Sequence, residues 1–115
     1  MAKQLIYTRK QYDTGPPFRL EIRNESTGEP VDLTGSTVVF NLYRNGTQIL
    51  NAAGSVESPA SGGVVRYDIQ ANDLATAGDL EAEFEISYAA GTIETYPAAG
   101  YIRVLVTPDL DGGTP

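Results

Sequence analysis

Apolar and polar residues alternate along most of this chain. Phe18, Leu20 and Ile22 are interleaved with Arg19, Glu21 and Arg23. That spacing puts three apolar side chains on one face of a strand and three charged ones on the other, as a half-buried strand requires. Val38, Phe40 and Leu42 repeat the pattern within residues 37–43, and Asn45-Gly46 follows. Both central residues of a type I′ turn need positive φ, so Asn-Gly predicts a hairpin in which residues 47–50 pair back. The stretch ESPASGG (57–63) reads as a flexible polar loop before another strand over 64–70, with Val65, Tyr67 and Ile69 on one face and Val64, Arg66 and Asp68 on the other. The clearest alternation runs over 80–88. Leu80, Ala82, Phe84, Ile86 and Tyr88 point inward, and Glu81, Glu83, Glu85 and Ser87 face solvent, which helical spacing cannot reproduce. A turn at 89–92 leads to a returning strand over 93–96. After an interruption at 97–100, Ile102, Val104 and Val106 supply the inward face of a last strand closed by Pro108. The one place that suits a helical turn is 72–75, capped by Asn72.

Seven or so short strands, with turn signals every 8 to 12 residues or roughly so, predict an all-β fold: an immunoglobulin-like antiparallel two-sheet sandwich. The chain has no Cys and no Trp, so the disulfide and core Trp of antibody domains are missing. The expected core includes Leu20, Phe40, Tyr67, Phe84 and Val104. The organisation expected is an N-terminal arm or first strand at 1–12, the sandwich at 13–107 and a flexible acidic tail at 108–115. At 115 residues and 41% hydrophobic the chain suits one domain, which buries roughly two thirds of its unfolded surface. No repeat of the length typical of solenoids or propellers is present.

Charge narrows the partners. The formal net charge is -7, a sign that repels phosphate backbones and anionic headgroups, so neither nucleic acid nor a membrane is an expected partner. The N-terminus has no apolar h-region and no long apolar run occurs, so export and membrane spanning are not expected and synthesis in a cytoplasm is. The distribution is uneven: Lys3, Arg9, Lys10, Arg19 and Arg23 give the first 23 residues a net positive charge, while the acids dominate the remainder. Basic side chains on the first strands account for this, as does complementarity between subunits or with a partner. Asn24-Glu25-Ser26 and Asn45-Gly46-Thr47 match the glycosylation sequon but read as turns where no secretory route is indicated.

Candidate chemistry is sparse. Glu81, Glu83 and Glu85 share one strand face about 7 Å apart, near the separation of paired glycosidase carboxylates, but a flat solvated face cannot raise the pKa of a general acid. Asp109, Asp111 and Gly112 look like the start of a calcium loop without its terminal Glu. Gly62-Gly63 lacks the Lys-Ser/Thr of a phosphate loop. Without His or Cys, the usual bases, nucleophiles and imidazole ligands are absent. No enzyme activity, cofactor or metal is expected.

Taken together, YDTGPPFRLEI, GEPVDLTGSTVVFNLYRNG, GGVVRYDIQANDLATAGDLEAEFEISY and YPAAGYIRVLV resemble the immunoglobulin-like domain family named after the N-terminal part of the baseplate upper protein of tailed bacteriophages. The resemblance covers 13–106. It rests on an Asp-Thr-Gly-Pro lead into the first core strand and the turn of Gly28, Pro30, Val31, Asp32, Leu33, Thr34 and Gly35. A Gly before the acidic strand (78–86) and a Pro then Gly-Tyr-Ile before the last strand complete it. In that turn, side chains of Asp32 and Thr34 can bond nearby amides while Leu33 plugs the core, so these are fold determinants. The resemblance implies a non-enzymatic virion structural module, made in the host cytoplasm, that docks onto tail, baseplate or other particle components. Its partners would be other phage structural proteins, with the module present as a homo-oligomer or in multiple copies. The long C-terminal part that carries receptor-binding proteins in the family's namesake is not expected here. The alternative is an adhesive module on the head or tail surface that binds host glycan.

Two residue sets bear on these readings. Lys3, Leu5, Ile6, Tyr7, Arg9, Lys10 and Tyr12 form a basic segment with an apolar triplet, a candidate assembly arm that would add a strand to a neighbouring sheet. An ordinary first strand of the same domain is the competing expectation. Tyr7, Tyr12, Tyr43, Tyr88, Tyr96 and Tyr101 are candidates for anchoring a protein interface or stacking on sugar, although for each one alone a half-buried strand residue is the simpler reading.

Overall fold

The computed structural model describes residues 5–97 and 100–110. It contains nine strands: β1 (Ile6–Lys10), β2 (Phe18–Glu21), β3 (Thr37–Arg44), β4 (Thr47–Ala53), β5 (Ser55–Val56), β6 (Val64–Tyr67), β7 (Gly78–Ser87), β8 (Ile93–Tyr96) and β9 (Ile102–Thr107). Two sheets pack face to face. The larger runs β1-β9-β7-β3-β4 with β8 also paired to β7, and the smaller runs β2-β6-β5. β8 and β9 share one edge of β7: β9 pairs with its first half and β8 with its second. All pairings are antiparallel except β1 with β9, which is parallel. This is the all-β two-sheet sandwich expected from the sequence, with three strands facing a larger sheet, and the parallel β1–β9 pair departs from the all-antiparallel expectation.

Period-two alternation becomes burial as predicted. Leu80, Ala82, Phe84 and Ile86 of β7 and Ile102, Val104 and Val106 of β9 are buried, as are Val65 and Tyr67 of β6 and Ile69 just beyond it. The centre is aromatic: Phe40 stacks on Tyr67 at 4.6 Å between centroids and meets Phe84 at 5.1 Å. Phe18 extends the stack from the other side of Phe40 at 5.3 Å. Leu20 departs from the expected core set and is only half-buried, although Phe18 and Ile22 flanking it on the same face are buried. Phe18 is covered by Tyr7, and Ile22 is closed in by backbone bonds to Gly63 and Val31. Leu20 lies between those two covers on an edge strand.

Turn chemistry accounts for the connections. Asn45 and Gly46 have φ of 50° and 80°, the double positive φ of a type I′ hairpin. Asn24 Oδ1 accepts from the amides of Ser26 and Thr27, so that sequon is a side-chain-closed turn. Asp32 Oδ1 accepts both the amide and the hydroxyl of Thr34, which holds the carboxyl below its usual range, and Leu33 is buried beneath. The loop at 57–63 contains a 3-10 turn, Ala60–Gly62, the only helical element among the described residues. Residues 71–74 form turns instead of the expected capped helical turn: Asn72 itself takes φ 71°, a left-handed conformation rather than the extended one typical of an N-cap. Asp73 organises this stretch by accepting from the Gln70 amide and the Tyr67 hydroxyl.

At Gly54 the chain passes from the larger sheet to the smaller one, since β4 pairs with β3 and β5 with β6. A Cβ there would lie 2.8 Å from the Arg66 carbonyl oxygen, so the crossing requires glycine.

Candidate assembly surface

The candidate arm is largely built into the domain. β1 pairs with β9 from Ile6 opposite Arg103 to Lys10 opposite Thr107. Leu5 and Tyr7 pack against the core. The Tyr7 ring stacks on Phe18 and its hydroxyl donates to the Arg19 carbonyl, and burial pushes the phenol above its ordinary pKa. The Arg9 guanidinium lies over the rings of Phe18 (5.1 Å) and Tyr7 (5.7 Å) and donates to the carbonyls of Pro16 and Thr8. Tyr12 is half-buried with φ 67°, its amide donating to the Leu74 carbonyl. Ile6, at 53% exposure, and Lys10 face outward. Lys3 lies outside the described residues, as do Asp111 and Gly112 of the calcium-like motif and the end of the predicted tail.

The outward backbone edge of β1 is blunted. Lys10 exchanges both of its main-chain groups with Asp13, giving its amide to Oδ2 and accepting from the Asp13 amide. Arg9 occupies the Thr8 carbonyl. Gln11, a residue the sequence did not single out, ties β1 to the far end of the chain through Thr107, Asp109 and Ala75.

Four of the seven described basic residues are paired with acids of the same chain. Arg19 makes a two-pronged bond to Glu57 at 2.6 and 2.7 Å, and Arg66 reaches both Glu57 and Asp68. Arg23 bonds Glu21, and Arg103 grips Asp79 at 2.7 and 2.6 Å. Side-chain bonding to arginine depresses the Glu57 and Asp79 carboxyls.

Glu81, Glu83 and Glu85 line the outward face of β7, flanked by β3 on one side and by β8 and β9 on the other. Those neighbours leave them half-buried, not on the flat solvated face expected from the alternation. Desolvation first, then the charges of Glu81 and Glu85, raises the Glu83 carboxyl. Beside it, Asn41 is almost fully buried on this outer face and accepts from Gln48 (3.0 Å) and Asn51 (2.6 Å). This amide cluster was not legible in the sequence.

Two shallow recesses mark the ends of the sandwich. One, of about 410 Å³, is lined by Tyr88, Tyr96, Glu94, Arg23, Glu25 and neighbouring residues. Tyr96 donates to Glu94 and its oxygen lies 3.4 Å from that of Tyr88; burial raises both phenols. The other, of about 480 Å³, lies between the Asn45-Gly46 turn and Asp79, Glu81, Tyr101 and Arg103. Tyr43 reaches Gln48 across β3 and β4. The six candidate tyrosines are dispersed: Tyr88 and Tyr96 share the first recess, and Tyr43 and Tyr101 line a smaller one beside Glu81 and Glu83. Among the described residues, no cluster of three or more acids has the arrangement to hold a metal, and no helix is long and apolar enough to cross a membrane.

Residues 3–96 match the sequence profile of the family described as the BppU N-terminal domain. Among solved structures, the chain is similar to CopC from Methylosinus trichosporium OB3b, with a TM-score of 0.53 and 13% identity over 91% of this chain and 86% of that one. At that identity the likeness is one of fold. No curated protein matches the chain in sequence.

Proposed function

The chain belongs to the BppU N-terminal domain family, and from that membership we propose that it is a non-enzymatic structural protein of a bacteriophage virion, docking onto tail, baseplate or other particle components. The observation that carries this reading is the profile match, which spans 3–96 and thus nearly the whole sandwich. The surface chemistry supports it. Arg19, Arg23, Arg66 and Arg103 are paired with acids of the same chain, and the carboxylates of β7 lie on an open sheet face rather than in a cleft that would enclose a substrate. Among the described residues of β1, the side chains exposed on its outer face are Ile6, Thr8 and Lys10. The test is to purify intact particles and locate the protein by mass spectrometry and electron microscopy. Stoichiometric presence is expected, and absence from washed particles overturns the reading.

The recess holding Tyr88 and Tyr96 supports a second role, adhesion to host glycan, because paired aromatic rings beside Glu25, Glu94 and Arg23 offer both a surface to stack a sugar and polar partners. Binding of host-surface oligosaccharide that is lost in Tyr96→Ala would favour adhesion; no binding at millimolar sugar leaves docking alone.

A further inference from the structure

The two ends of the larger sheet's strand order, β1 and β4, differ in a way that points to self-association. β1 is capped at Thr8 and Lys10 by Arg9 and Asp13. β4 is not. Its sequence, TQILNAA, carries no charge and no proline, the features that ordinarily keep an edge strand from pairing. Its backbone phase is fixed by the Gly54 amide, which donates to the Val38 carbonyl directly opposite. With Ala53 opposite Val39 and Asn51 opposite Asn41, alternation turns the amides and carbonyls of Ala53 and Asn51 away from β3. Among the described residues no side chain caps these groups.

We propose that β4 is the pairing edge for a second copy of this chain, joined antiparallel about a two-fold axis near Ala52. Asn51 of one copy then lies opposite Ala53 of the other, twice, and each pair exchanges two N–H···O bonds. The larger sheet continues unbroken through the dimer.

Three observations select this occupant. A strand paired antiparallel to itself closes into a dimer, whereas joining β4 to β1 would build an open filament and meets the blunted edge. The charge is also favourable. Each copy is net -7, yet β4 is neutral and separates the two β7 acidic rows by five strand spacings, about 24 Å, well beyond a Debye length of roughly 8 Å. Finally, the other free edges are charged, capped or shorter: β2 carries Arg19 and Glu21 and gives its Arg19 carbonyl to Tyr7, β5 has two residues, and β8 carries Glu94.

The inference is independent of which particle component the domain docks onto. Sedimentation velocity of the full chain from about 1 µM to 1 mM, an interval chosen to bracket weak to moderate dimers, should show a concentration-dependent monomer–dimer equilibrium. Hydrogen exchange should slow at the Asn51 and Ala53 amides as the dimer fills, by tenfold or more. Ala53→Pro, which removes an outward amide without touching the β3 ladder, and Ala53→Glu should each shift the protein to monomer while the circular dichroism spectrum stays that of wild type. A protein monomeric throughout overturns the proposal, as does a dimer in which those two amides exchange as fast as in the monomer. Should Ala53→Pro unfold the chain, Ala53→Glu and the exchange rates still decide.

Discussion

Tyr7 of β1 stacks on Phe18 of β2, ring centroids 5.2 Å apart and planes 18° from parallel. The two residues belong to different sheets, so the contact closes one side of the sandwich with a residue from the candidate arm. A detachable arm would leave the core intact when removed; this strand contributes to it. Deleting residues 2–11 should therefore lower the melting temperature sharply or unfold the domain. Tyr7→Ala alone should cost about 2 kcal/mol, less than a fully buried ring. A truncated chain that melts like the full one would restore the arm reading.

Phe84 is fully buried beside Phe40 at the middle of β7. Phe84→Ala should destabilise the domain by roughly 3–5 kcal/mol, because the rigid strands around it cannot collapse into the space. Chemical denaturation gives the number directly, and a loss below about 1 kcal/mol would contradict the packing described.

Glu83 is held above its ordinary pKa of 4.5 by burial and by Glu81 and Glu85. A carboxyl raised on folding is a cost whenever it is ionised, present in full above its folded pKa and gone below the unfolded one. Glu83→Gln should thus raise the melting temperature at pH 7, with the gain fading as the pH falls to about 4. A gain independent of pH would point to a different cause.

Arg19 and Arg66 stand directly opposite each other across β2 and β6, and Glu57 binds both. Removing it leaves two like charges paired across strands. Glu57→Gln should destabilise the domain near pH 7 and less so in high salt. Since the Glu57 carboxyl is depressed below 4.5, its stabilisation is present above that value and is lost as the pH falls through the folded pKa. The wild-type and variant melting curves should accordingly converge in acid.

Chelator should leave the melting temperature unchanged, because among the described residues no three acids come together in an arrangement that could hold a metal. A chelator-induced drop, or stoichiometric metal in purified protein, would reveal a carboxylate site.

What the sequence determined by itself was whatever local sterics dictate. A period of two sets which side chains share a face of β3, β6, β7 and β9, and Asn45-Gly46 sets a hairpin because few other residues accept positive φ twice in succession. Cross-chain pairing was beyond its reach. The parallel docking of β1 on β9, the sheet crossing at Gly54, and the acids that bind Arg19 and Arg103 all join residues far apart in the chain. Leu20 and Asn72 show the same limit on a smaller scale. Leu20 has the right phase for the core but lacks a covering element. Asn72 has the right type for a cap, but the bonds Asp73 makes to Tyr67 and Gln70 turn the chain there. Tertiary structure alone also decided which strands end the larger sheet: the bonds of Asp13 and Arg9 are local, but they blunt a sheet edge only because β1 docks outermost on β9.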